Sequence, residues 1–120
     1  MPADERRRTG AAGEDAVAAW YAARGYEVLD RNWRVRDGEI DIVARGRDTL
    51  VFCEVKTRRG SLFGTPAEAV TARKQQRLRA LARLWLAAHP ARASELRFDV
   101  ASVTPAGTGE WVVDVLEAAF

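Results

Sequence analysis

Asp41 and Glu54 are two carboxylates set among apolar residues, in the stretch from Gly38 to Arg58, GEIDIVARGRDTLVFCEVKTR. With period-2 alternation the stretch reads as two short strands, Glu39 to Ala44 and Leu50 to Lys56, joined through Gly46-Arg47-Asp48-Thr49. Alternate strand side chains share a face, so Glu39, Asp41 and Val43 fall together, as do Leu50, Phe52, Glu54 and Lys56. With Gly46 to Thr49 as the loop, Arg45 pairs with Leu50, Asp41 lies opposite Glu54, and Glu39 lies opposite Lys56. Directly opposed Cβ atoms are about 4.5–5.5 Å apart, and like charges at that distance destabilise a sheet. A hairpin that had only to be stable would not set Asp against Glu among Ile, Val and Phe. A divalent cation between them removes the conflict, and hard carboxylate oxygens suit Mg2+ or Mn2+. The plainer alternative is a solvated sheet face, against which stand the apolar Val43 and Phe52 on that same face. Lys56 is free either to stabilise negative charge developing on a substrate or to pair with Glu39 or a carboxylate of the site.

These residues carry a resemblance. Asp41 followed by Glu54-Val55-Lys56 is similar to the D…ExK signature of the restriction-endonuclease-like nucleases. The wider set, Gly13-Glu14, Gly38-Glu39-Ile40-Asp41, Phe52-Cys53-Glu54-Val55-Lys56-Thr57-Arg58 and a downstream Lys74, resembles the small bacterial YraN-like family, itself similar to archaeal Holliday junction resolvases. The resemblance covers roughly residues 6 to 117. It implies a metal-dependent endonuclease that hydrolyses DNA phosphodiester bonds, branched or junction DNA included. The alternative is a non-catalytic nucleic-acid-binding or assembly module that keeps the nuclease fold. The implied catalytic set is Asp41, Glu54, Lys56 and Glu14, with Asp41, Glu54 and Glu14 as metal ligands beside the Val55 carbonyl. Glu39 is placed behind them, and the accessory helix residue is Lys74 or Gln75, Lys74 preferred. A homodimer follows if the substrate is a junction, because two strands must then be cut symmetrically.

Composition agrees with a polyanionic partner without requiring one. A chain of 120 residues is one domain with a single modest core. The net charge is +2, but the first 83 residues hold 17 basic against 12 acidic side chains. Basic groups flank the acidic hairpin at Arg6-Arg7-Arg8, Arg31/Arg34/Arg36, Arg58-Arg59 and along residues 73–79. Arg58, Arg59, Arg73 and Arg77 are the candidate nucleic-acid contacts. Arg makes up 17 of the 19 basic residues, a bias that genome composition alone can produce. No apolar run is long enough to span a membrane and no apolar leader opens the chain, so no membrane partner and a cytoplasmic location are expected. The single cysteine, Cys53, alternates with Phe52 and Glu54 and is expected to be a buried, inert thiol facing away from the site.

The elements that must position these groups follow in order. Residues 1–9 read as a flexible basic arm and residues 10–120 as a single nuclease-like domain. Residues 13–24 read as a helix with Val17, Trp20 and Tyr21 on one face and Gly25 beyond its end. Glu14 and Asp15 then fall in its first turn, where the helix dipole favours acids; the resemblance instead turns Glu14 toward the metal. Residues 26–35 form a first strand and complete an antiparallel meander, with Trp33 packed. Residues 59–64 are a loop bordering the site. Thr65-Pro66-Ala67-Glu68 is a capping box opening a helix to about Ala88, with Leu78, Leu81, Ala82 and Trp85 as its apolar stripe. His89 caps that helix, and residues 96–104 and 110–116 are two more strands, with Asp99 and Asp114 structural. The order α-β-β-β-α-β-β fits an α/β fold. The resemblance implies a restriction-endonuclease-like three-layer sandwich, a mixed five-stranded sheet flanked by helices.

Overall fold

The chain alternates between side chains that need two different neighbours, and the sheet answers with a helix on each face. In a computed structural model, residues 3–57 and 70–120 are described, with the side chains of residues 3–9 left aside. Helix α1 spans Ala3–Ala23. Strands β1 (Glu27–Val35), β2 (Gly38–Arg45) and β3 (Thr49–Thr57) form the meander. Helix α2 (Ala72–Ala88) crosses to β4 (Glu95–Pro105), and β5 (Trp111–Leu116) returns beside it. The sheet order is β1-β2-β3-β4-β5, with β3 and β4 parallel and the other neighbours antiparallel. A parallel pair needs a crossover rather than a hairpin, which is the place of α2.

Alternation along β3 sorts the core into two layers. Leu50 and Phe52 pack with Leu78, Leu81, Ala82 and Trp85 of α2, and with Phe98. Val51 and Cys53 pack with Val17 and Tyr21 of α1, and with Ala101 and Val103. All four of these β3 side chains are fully buried, as expected for a central strand covered on both faces. Cys53 therefore lies under α1, and burial pushes its thiol pKa up, which leaves it inert.

Three expectations need correction. Helix α1 begins at Ala3 rather than residue 13, and takes in residues 3–9 of the segment read as a flexible arm. Its early turns are rich in Arg and Gly and carry no apolar stripe to announce them. Glu14 and Asp15 are consequently mid-helix, so the dipole account of them falls. Helix α2 does not run unbroken from Thr65: Val70 and Thr71 are not helical, and Thr71 is the N-cap, accepting from the Lys74 amide through its hydroxyl. The loop at residues 59–64 and the capping box of Thr65 to Glu68 lie outside the described residues.

Buried polar groups outside the cleft are satisfied locally. Asp99, with no exposed surface, accepts from Tyr21 Oη at 2.6 Å, Arg97 Nε and Nη2 at 2.9 and 2.8 Å, and the Ala118 amide at 3.0 Å. This network ties α1, β4 and the C-terminal segment together, the structural role expected of Asp99. His89 meets the Trp85 carbonyl at 2.8 Å through Nδ1 and stacks on the Trp85 ring, closing the end of α2. Trp33 packs against the α2-side core and the edge of His89.

Candidate functional site

The hairpin register is the one the loop chemistry dictates: Arg45 pairs with Leu50, Ala44 with Val51, Val43 with Phe52 and Ile42 with Cys53. Regular pairing stops there, one residue before Asp41 would meet Glu54. The reason is in the Asp41 side chain, whose Oδ2 accepts from the Val55 amide at 2.7 Å. A backbone donor that would otherwise serve the ladder is taken by a carboxylate, so the two strands part where the acidic groups sit.

A cleft of about 300 Å3 opens at this parting, lined by Glu39, Asp41, Glu54 and Lys56 from the sheet and by Lys74 and Arg77 from α2. Gly38 also lines it, with φ 149°, and a Cβ there would come within 3.3 Å of Leu81. Glycine thus lets the start of β2 approach α2 and brings Glu39 into the cleft.

Asp41 is the electrostatic centre. It is only 7% exposed, and its pKa is raised to about 7 from 3.8. Burial is the largest cause; the Glu54 charge adds to it, and the Val55 amide opposes it. Glu14 and Glu39 also raise it, so four carboxylates feel one another across the cleft. Lys56 Nζ lies 3.2 Å from Glu54 Oε1, which neutralises Glu54 in part and leaves Asp41 with the Val55 amide.

Glu14 reaches this group from α1. Gly13 makes that possible, because a Cβ there would collide with Thr57 Oγ1 at the end of β3. Burial raises the Glu14 pKa, against the opposing effects of a hydrogen bond from Asn32 and the nearby Arg31. Asp15, next along the helix, turns away to an ion pair with Arg31 at 2.6 Å. Among the described residues no three His, Cys, Asp or Glu side chains converge as a ready-made metal cage. Asp41 and Glu54 are the close pair, with Glu14 and Glu39 further out.

Several expected placements change. Glu39 is not paired with Lys56, because the β2–β3 pairing ends at Ile42 and Cys53; its strand partner is Arg34 on β1, from whose Nε it accepts at 2.7 Å. Lys74 lines the cleft, whereas Gln75 donates back to the Val70 carbonyl at 3.3 Å. Arg77 lines the cleft and Arg73 is exposed outside its lining; Arg58 and Arg59 lie outside the described residues. Sequence reasoning missed Asn32 and the pairing of Arg34, since neither belongs to the hairpin or to a recognisable spacing.

The sequence matches the family described as "Uncharacterised protein family UPF0102" over residues 13–103. It is 52% identical to a UPF0102 protein of Frankia casuarinae over 108 residues, 90% of this chain and 92% of that one. It is 53% identical to a relative in a Parafrankia species and 49% identical to one in Symbiobacterium thermophilum, each over 114 residues, 95% of this chain and 97% of theirs. The chain belongs to the UPF0102 family, the YraN-like group that its motifs resemble.

Proposed function

We propose that this chain is a metal-dependent endonuclease that hydrolyses phosphodiester bonds in nucleic acid, DNA foremost. The observation that carries the reading is the buried Asp41 beside Glu54, at the bottom of a cleft whose other lining residues include Lys56, Lys74 and Arg77. A buried carboxylate at Asp41 beside Glu54 carries an electrostatic cost that an Asn there would avoid, and Lys56 offsets it only on the Glu54 side. The donor set fits a hard divalent cation, Mg2+ or Mn2+, held by Asp41 and Glu54 with the Val55 carbonyl and with Glu14 in support. Such an ion, when bound, would neutralise charge on the scissile phosphate and acidify the attacking water.

The chain's own residues divide the remaining work. Lys74 and Arg77 stand across the cleft from the acids and counter the phosphate charge, orienting the backbone without reading sequence. Lys56 places a positive charge beside Glu54, where it stabilises negative charge developing on the phosphate oxygens. Arg34 at the rim holds Glu39 in place. The α-β-β-β-α-β-β order around a mixed sheet, with Asp41 and Glu54-x-Lys56 on neighbouring strands, supports the likeness to restriction-endonuclease-like enzymes.

One observation favours a second reading. The Lys56–Glu54 ion pair balances half the acidic pair without a cation, as a non-catalytic nucleic-acid-binding module would require. A cleavage panel separates the two. Four-way junction, flap, linear duplex, single-stranded DNA and RNA are each incubated with Mg2+, Mn2+ or EDTA, beside Asp41→Ala and Glu54→Ala. Cutting that needs metal and is lost in both variants is expected. Folded protein that binds DNA, cuts nothing and keeps its affinity in Asp41→Ala would replace the nuclease reading with the binding one.

A further inference from the structure

Strand β1 shifts register between Val28 and Asp30, and further along its backbone leaves the extended region altogether. Asn32 has φ 51°, the left-handed region, in the middle of a strand. Non-glycine residues adopt it rarely and at a cost, and it recurs at functional sites where the surroundings enforce it. The register says which surroundings. Arg31 pairs with Ile42 and Trp33 with Ile40, which leaves Asn32 beside Asp41 on the neighbouring strand. Its side chain lies near enough to Glu14 on α1 for the amide to lower that carboxylate's pKa. The adjacent residues repeat the link, Arg31 meeting Asp15 at 2.6 Å. Two consecutive residues of β1 thus face two consecutive residues of α1, beside the strand position of Asp41.

We propose that Asn32 is a positioning residue, its left-handed backbone turning the side-chain amide onto Glu14 so that this carboxylate is held toward Asp41. The proposal rests on the reading of Asp41, Glu54 and Glu14 as a cation site. An extended residue at position 32 would send its side chain to one or the other face of the sheet, in step with its strand neighbours. The left-handed turn releases it from that alternation and lets it reach the helix beside the cleft. Asn suits the task because it tolerates this backbone and carries a donor on a short arm. A donor matters here, since Glu14 approaches a cluster that already holds Asp41, Glu39 and Glu54. The exposed Arg31–Asp15 pair adds alignment and little energy.

Asn32→Gly is the informative variant, because glycine keeps the left-handed backbone without strain and deletes only the amide. Mn2+ binding is measured by calorimetric titration of the metal-free protein, for wild type, Asn32→Gly, Glu14→Gln and the double variant, with Asp41→Asn as the site control. Residues that orient metal ligands are worth about 10–100-fold in affinity, and a loss of about tenfold is expected for Asn32→Gly. The double variant should bind no worse than Glu14→Gln, because Asn32 acts through Glu14. Affinity within twofold of wild type in Asn32→Gly overturns the proposal and leaves the cation site standing. So does an equal further loss in the Glu14→Gln background, which would mean that Asn32 acts without Glu14. Absence of Asp41-dependent Mn2+ binding in the wild type overturns the cation site itself, and the role of Asn32 with it. Asn32→Ala, which loses both amide and backbone tolerance, should lower the melting temperature further than Asn32→Gly and bind no more tightly.

Discussion

Replacing Asp41 with Asn should stabilise the metal-free protein above neutral pH. The carboxylate is raised from 3.8 to about 7, first by burial and then by the Glu54 charge. The folded state therefore binds more protons than the unfolded state between these values. Stability linked to Asp41 is fully present below about pH 4 and is lost as pH rises through about 7. Three pK units at about 1.4 kcal/mol each set a ceiling of about 4 kcal/mol at pH 8. Asn mimics the protonated acid in shape and neutrality, and its carbonyl still accepts from the Val55 amide at the position where Oδ2 accepts now. It gives up the charge assistance of that bond, and its amino group must find an acceptor, for which Glu54 is at hand. The expected gain is about 1–3 kcal/mol at pH 8, or about 3–10 °C in melting temperature for a domain of this size.

The assay is thermal or urea unfolding of wild type and Asp41→Asn in EDTA between pH 4.5 and 8.5. The two curves should converge at the acid end and separate through neutrality, the variant lying above. Glu54→Gln should make the loss smaller and complete it at lower pH, but only in part, because burial and not Glu54 is the larger cause. Added Mn2+ should reverse the order at pH 8, since a ligand at a hundredfold excess over its Kd stabilises by about 2.7 kcal/mol and Asp41→Asn has lost a ligand. A wild type at least as stable as the variant at pH 8 in EDTA would refute the claim that Asp41 is a strained acid. A difference that does not change with pH would refute it equally.

Gly13→Ala should destabilise the fold by about 1–3 kcal/mol through collision with Thr57, although alanine is the better helix former. Gly10→Ala, where a Cβ meets nothing, should instead stabilise it by about 0.5–1 kcal/mol, and urea midpoints of the two compare them directly. Asp99→Ala strands the largely buried Arg97 and the Tyr21 hydroxyl, and should cost about 3–5 kcal/mol in the same assay. Lys74→Ala and Arg77→Ala should each reduce the slope of log affinity against log salt for nucleic acid by about one, while leaving unfolding midpoints nearly unchanged.

What the chain announces about itself is what neighbours in sequence can encode. The hairpin was legible because β2 and β3 are joined by four residues, so a loop assignment fixes every pair that follows. The conflict of Asp41 with Glu54 was legible for the same reason. The stripe Leu78, Leu81, Ala82 and Trp85 of α2 follows from helical spacing alone. The start of α2 differs from the expectation because the capping-box pattern points to Thr65, whereas the N-cap of this helix is Thr71, which no such pattern marks. The start of α1 was missed because its first turns have no apolar side to bury. Glu39 was set against Lys56 by extending the hairpin pairing past its end. The parting of the strands at Asp41 depends on a side chain taking a backbone donor, which no alternation pattern contains.

Glu14 and Asn32 mark the limit more sharply. Nothing in the periodicity around Glu14 separates it from Asp15, and only the likeness of Gly13-Glu14 to a known motif preferred it. The fold separates them physically: one acid turns toward Asn32 and the cleft, the other toward Arg31 at the surface. The glycine before them is spaced for Thr57, 44 positions along the chain, and Asn32 takes a backbone conformation that its strand neighbours do not share. Both are local irregularities whose reasons lie on another element. In a chain whose regular parts follow elementary alternation, these departures gather around Asp41, where the fold accepts a buried charge and a strained residue. That coincidence is what a stability-optimised sheet would lack, and it is the physical ground for reading the cleft as a place of chemistry.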